Sequence, residues 1–159
     1  MTYHDTKPIL IFTWGNPSRG DDALGPVMFD MLEQRLPDGV EVLTDFQLQI
    51  EHAIDLESRE RVLFVDASTS ANPPFEIQPL MPERDASYTT HAMSPQSLLS
   101  VYRQVNNCEP PQAWMLSIRG YEFGLGLPMS AQARQNLNTA FEYILALLKN
   151  EESVEWPAP

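Results

Sequence analysis

The sequence has little of several features that define large classes of proteins. Its 159 residues include one cysteine, Cys108, so a disulfide framework and a metal site made only of cysteines are excluded. No apolar run approaches the roughly 20 residues that span a bilayer. The polar first residues give no sign of a signal peptide. We therefore expect a cytoplasmic protein that does not act at a membrane.

Positive charge is also scarce. Lys and Arg number 10 against 22 Asp and Glu, which gives a net charge of −12. A field of this sign repels polyanions, so nucleic acid and anionic membrane are excluded as the main partner. A basic peptide or a metal-bearing protein suits this field better.

The apolar segments predict strands that alternate with helices. Strand-length runs occupy 9–14, 40–44, 61–66, 75–80 and 112–118, and helical patterns separate most of them. This order predicts an α/β protein, a three-layer α/β/α domain around a twisted, mostly parallel five-stranded sheet. The link 66–75 is too short for a crossover helix, so the fourth strand is expected to run antiparallel. We assign 1–150 to a single domain and 151–159 to a disordered acidic tail.

Three loops after strands carry residues suited to chemistry. In parallel sheets, ligands gather beyond the carboxyl ends of the strands. Asp22 follows the first strand, Asp66 ends the third, and His91 lies in a polar loop before a helix. Asp21 is interpreted as a helix cap, which leaves the adjacent Asp22 free for another task. We interpret His52 as a residue on a helix surface.

Two carboxylates and an imidazole could form a three-ligand site for zinc or nickel with open positions. Such a metal polarises a peptide carbonyl and lowers the pKa of a bound water. The sequence contains no HExxH pair, no GxSxG elbow and no P-loop lysine after its first glycine-containing loop. With these motifs absent, the candidate mechanism is one that uses carboxylates or a metal ion.

Gly15-Asn16, followed by Arg19-Gly20-Asp21-Asp22-Ala23-Leu24-Gly25-Pro26, resembles the signature of nickel–iron hydrogenase maturation endopeptidases. Val65-Asp66-Ala67 and then Ser94-Pro95, just beyond His91, continue the resemblance in order. The resemblance implies that Asp22, Asp66 and His91 form the nickel site and carry the catalysis. It also implies cleavage near the C-terminus of the hydrogenase large-subunit precursor, after nickel insertion. The nickel is then carried by the substrate, and no organic cofactor is expected.

One segment departs from the pattern. Many members have a glycine-rich Asp-Gly-Gly-Thr-type segment after the second strand, where this chain has Asp45-Phe46-Gln47-Leu48-Gln49. This segment is similar to that of the branch of the family that serves soluble, NAD(P)-linked hydrogenases. Asn16, Arg19 and Gln47 are the candidate substrate-binding residues. The alternatives are that Arg19 balances Asp21, and that Gln47 and Gln49 only begin a helix.

Two other functions stay open at this point. A non-catalytic nickel-binding chaperone would check that the precursor is loaded without cutting it. A nucleotide-binding α/β module would use the loop from Gly15 to Gly20, although that loop lacks the P-loop lysine. In each case we expect a monomer.

Overall fold

The computed structural model describes residues 6–84, 93–150 and 154–159. Its five strands are β1 (Ile9–Trp14), β2 (Val40–Asp45), β3 (Arg61–Ser68), β4 (Phe75–Leu80) and β5 (Gln112–Arg119). They form one sheet in the order β2-β1-β3-β5-β4, and only the β4–β5 pair is antiparallel. The predicted α/β class and the antiparallel fourth strand are confirmed.

Helices cover both faces of the sheet. They are α1 (Leu24–Glu33), α2 (Pro95–Asn106) and α3 (Ala131–Leu148), with shorter 3₁₀ helices at Gly20–Ala23 and Ile50–Leu56. Successive strand residues point to opposite faces, so Leu63 and Val65 pack with α1 and α3, whereas Phe64 packs with α2 and Ile50–Leu56. The result is the predicted three-layer arrangement. None of the helices in the described part of the chain has the length and apolar character needed to cross a bilayer.

Gly25 brings the start of α1 directly against the end of β1. A Cβ atom at this position would collide with the backbone carbonyl oxygen of Trp14. Only glycine allows this approach, because its lack of a side chain lets two backbones meet. The contact fixes the loop between Trp14 and Gly25 close to the edge of the sheet.

The C-terminal segment differs from the disordered tail expected from the sequence. Residues 151–153 lie outside the described part, but Trp156 packs against Trp114 with ring centroids 4.7 Å apart, and Arg61 lies over its ring. The Trp114 indole also donates a hydrogen bond of 2.8 Å to the carbonyl of Pro157. An aromatic residue that buries its ring gains enough apolar contact to hold a polar tail in place.

The four parallel strands end at the same edge of the sheet, which we call the carboxyl rim. The chain leaves this rim after Trp14, Asp45, Ser68 and Arg119. The loops that follow are therefore neighbours, although they are far apart in sequence.

Candidate functional site

Asp66 lies at the carboxyl rim, near the end of β3, and is half-buried. Burial raises the pKa of its carboxyl from 3.8 to about 7. A hydrogen bond of 2.8 Å from the Ala67 amide opposes this rise, and the negative charge of Asp22 adds to it. A carboxyl with this pKa is part protonated and part ionised near neutral pH, as a group that exchanges protons must be.

Asp22 belongs to the 3₁₀ turn that follows β1. Its Oδ2 accepts a hydrogen bond of 2.8 Å from the backbone amide of Asn16. This bond holds the carboxylate over the loop that leaves β1. Because the charge of Asp22 acts on Asp66, the structure brings these two predicted site residues together at the rim.

The third predicted residue, His91, lies outside the described residues, which resume at Met93. Met93 donates a hydrogen bond of 3.1 Å from its amide to the carbonyl of Leu48, and its side chain packs on the face of the sheet that carries Phe64. Among the His, Cys, Asp and Glu residues that are described, no group of three could hold a metal ion. That Asp22, Asp66 and His91 bind a metal ion together therefore stays a prediction from the sequence.

The interpretation of Asp21 as a cap of its own helix is wrong. The Asp21 side chain is fully buried and makes no capping bond in Gly20–Ala23. It accepts hydrogen bonds of 2.7–3.0 Å from the amides of Tyr121, Glu122 and Ser130, and a fourth, of 2.8 Å, from the Ser130 hydroxyl. Burial alone raises the pKa of Asp21, but these bonds outweigh it and lower the pKa below 3.8.

Asp21 is thus the anchor between the loop after β1 and the loop after β5. The same two loops are joined by backbone bonds, from Gly20 to Leu127 and from Gly126 to Ser18. Sequence reasoning missed this role because the partners lie about a hundred positions away. No local pattern reports such a contact.

Of the candidate substrate-binding residues, Asn16 contacts the carboxylate pair through the bond from its amide to Asp22. Arg19 is exposed and, in the described part of the chain, forms no ion pair with Asp21, whose carboxylate has other partners. The alternative that Arg19 balances Asp21 is therefore not supported. Asn16 is half-buried, and its Oδ1 accepts a bond of 2.9 Å from the Ser18 amide. Gln47 is half-buried, and Gln49 begins the 3₁₀ helix, as one of the alternatives held.

His52 is not on a helix surface, and that interpretation is wrong. Its side chain is buried, and its Nε2 lies 2.9 Å from Oδ2 of Asp45. The imidazole also packs on the Phe12 ring, with centroids 4.6 Å apart. The sequence signal was present in principle: His52 and Ala53 form the buried side of Ile50–Leu56, and an acidic residue stands seven positions before His52.

Solved structures of hydrogenase maturation proteases share this fold. The chain therefore has the fold of that class, and the resemblance to hydrogenase maturation endopeptidases indicated by its sequence is confirmed. The branch that serves soluble, NAD(P)-linked hydrogenases stays a prediction. No protein-family model and no curated protein matches the sequence.

Three of these structures show the extent of the likeness. The [NiFe] hydrogenase maturation protease HycI from Thermococcus kodakarensis is 21% identical at a TM-score of 0.70, over 92% of this chain and 96% of that one. The hydrogenase maturating endopeptidase HybD from E. coli is 26% identical at a TM-score of 0.69, over 92% and 94%. An endopeptidase from Escherichia coli is 25% identical at a TM-score of 0.67, with the same coverage.

Proposed function

We propose that the chain is an endopeptidase of hydrogenase maturation, and that it removes the C-terminal extension of a nickel-loaded large-subunit precursor. The likeness to HycI and HybD supports a protease role in hydrogenase maturation. The observation that carries the proposal further is the pair Asp22 and Asp66 at the carboxyl rim. One member of the pair has a pKa of about 7.

The environments of the two carboxyls favour different roles. Asp22 accepts a backbone hydrogen bond that fixes the position of its carboxylate, which suits a ligand. Burial raises the pKa of the Asp66 carboxyl to about 7, which suits the general base that takes a proton from the attacking water. In this proposal, the nickel of the substrate is bound by Asp22, Asp66 and His91, because carboxylate and imidazole donors both suit that ion. Asp66 acts as the base once it is freed from the ion, since a carboxylate bound to a cation is a poor proton acceptor.

Nickel then acts as the sign that a precursor is loaded. A precursor without it would lack the contact that places its scissile bond beside Asp66, so positioning would supply much of the rate. The cytoplasmic location and the monomeric state expected from the sequence remain part of the proposal.

The nucleotide-binding alternative is disfavoured by the loop from Gly15 to Gly20. A phosphate cradle needs free backbone amides. Here the amides of Asn16, Ser18 and Gly20 donate to Asp22, Asn16 and Leu127 within the protein. Two carboxylates follow directly, and their charge would repel a phosphate.

Intact-mass measurement tests the proposal. The nickel-loaded large-subunit precursor from the same host would be incubated with the wild-type protein, with Asp66→Asn and with Asp30→Asn. Asp30 is an exposed carboxylate of α1 and serves as the matched control. We expect the wild type and Asp30→Asn to shorten the precursor at its C-terminus, and Asp66→Asn to leave it intact.

The same experiment decides between a protease and a chaperone. If the loaded precursor binds the wild-type protein and keeps its full mass, the chain is a nickel-binding chaperone. If a nickel-free precursor is cut as fast as a loaded one, the chain is a protease but nickel is not its recognition element.

A further inference from the structure

A His52–Asp45 pair lies beside the candidate site and has no part in the proposed chemistry; the side chain of His52 is buried and that of Asp45 is exposed. Asp45 ends β2 at the carboxyl rim, and His52 is in the 3₁₀ helix that follows. Between them, the chain turns through Phe46, Gln47 and Leu48. The His52 side chain bonds both Asp45, before the turn, and the backbone amide of Gln49, after it. These two bonds close the turn.

The hydrogen bonds define the tautomer of His52. The Gln49 amide donates to Nδ1 at 2.8 Å, so Nδ1 carries no proton. The ring proton is then on Nε2, which donates to Oδ2 of Asp45 at 2.9 Å. The other carboxylate oxygen of Asp45, Oδ1, accepts a bond from the Phe46 amide at 2.6 Å. Each nitrogen of the imidazole therefore has a defined partner, and the ring holds both ends of the turn.

Two loops of the candidate site are attached to this closed turn. On one side, the carbonyl of Asp45 accepts the Gly15 amide at 3.2 Å, and the next amide, of Asn16, donates to Asp22. On the other side, the carbonyl of Leu48 accepts the Met93 amide at 3.1 Å. The turn therefore connects the loop of Asp22 to Met93, which lies two residues before α2.

We infer that His52 is a positioning residue: through Asp45 and Leu48 it holds the loop of Asp22 and Met93, two residues before α2, in place for the reaction. The inference rests on the proposed function, since the reaction it serves is the cleavage described above. Partners that orient the ligands of a metal typically change affinity or activity by about 10- to 100-fold when they are removed.

Three substitutions separate the two bonds of the imidazole. His52→Gln places an amide donor near the former Nε2, so it can keep the bond to Asp45. His52→Asn places an oxygen near the former Nδ1, so it can keep only the bond from Gln49. His52→Ala removes both. Trp156→Ala is the control, because Trp156 packs on Trp114 and Arg61, where β3 begins, away from the carboxyl rim.

The first readout is amide hydrogen exchange at Gly15, Asn16 and Met93, measured by NMR on the protein without substrate. We expect His52→Ala to raise these rates by about 10-fold or more, and Trp156→Ala to leave them near the wild-type values after correction for global stability. Equal rates in the two variants would overturn the inference. If His52→Ala does not fold, the exchange rates of the Gln and Asn variants are compared with those of Trp156→Ala instead.

The second readout is the rate of cleavage of the nickel-loaded precursor. We expect His52→Ala to lose about 10- to 100-fold in kcat, and His52→Gln to recover most of that loss while His52→Asn does not. If His52 had only a structural role, the cleavage rates of the Gln and Asn variants would change in parallel with their melting temperatures. That result would overturn the inference. If the wild type cuts no precursor, the proposed function fails, and the exchange rates still decide whether His52 holds the rim.

Discussion

Replacement of Asp66 by Asn should stabilise the protein, and the gain should grow with pH. The folded-state pKa of Asp66, about 7, lies above its ordinary value of 3.8. The unfolded chain therefore releases this proton at a lower pH than the folded chain does. The stability that Asp66 contributes is complete below 3.8 and is lost as the pH rises through about 7. An Asn at this position does not ionise and escapes that loss.

The size of the effect follows from the two values. Each pH unit between them costs the wild type about 1.4 kcal/mol. From about pH 5 to about pH 8.5, the wild type should lose about 2–3 kcal/mol relative to Asp66→Asn. For a domain of this size, that is a difference of roughly 5–10 °C in Tm.

Thermal unfolding followed by circular dichroism at a series of pH values measures this directly. Asp30→Asn, which changes an exposed carboxylate, is the control and should follow the wild type. Parallel stability curves for the wild type and Asp66→Asn would refute the reasoning. They would mean that the buried carboxyl is not held near neutrality.

The remaining predictions concern the supports of the site. Asp21→Ala should cost about 3–5 kcal/mol of unfolding free energy in urea titration, because it removes a fully buried carboxylate and leaves four partly buried donors without their acceptor; a loss below about 1 kcal/mol would contradict its role as an anchor. Gly25→Ala should cost about 1–3 kcal/mol in the same assay, since its Cβ meets the Trp14 carbonyl, and unchanged stability would argue against that close approach. His91→Ala should abolish cleavage of the loaded precursor and leave Tm unchanged; cleavage at the wild-type rate would remove His91 from the site.

Much of the fold could be predicted from the sequence because its signals are local. The bounds of β1 and β4 agree with the apolar runs, and Ser94 and Ser130 accept the capping bonds that their positions before helices indicate. The short link before Phe75 was enough to predict an antiparallel strand. Each of these features depends on a few neighbouring residues.

The roles of Asp21 and His52 could not be predicted in this way. Both are polar residues on short 3₁₀ helices, where a local pattern suggests a cap or a solvent-exposed face. The partners of Asp21 lie across the fold, and His52 is buried because the turn from Asp45 folds back on it. The pKa of Asp66 has the same origin, because it depends on packing around the end of β3 and on the charge of Asp22.

The position of the nickel ion tests the central claim most directly. Crystals of the protein in complex with the loaded precursor, with data collected at the nickel absorption edge, would locate the metal by its anomalous signal. The account predicts one nickel peak bound by carboxylate oxygens of Asp22 and Asp66 and by an imidazole nitrogen of His91, at about 2.0–2.2 Å. A nickel peak bound elsewhere, with Asp22 and Asp66 free of metal, would contradict it.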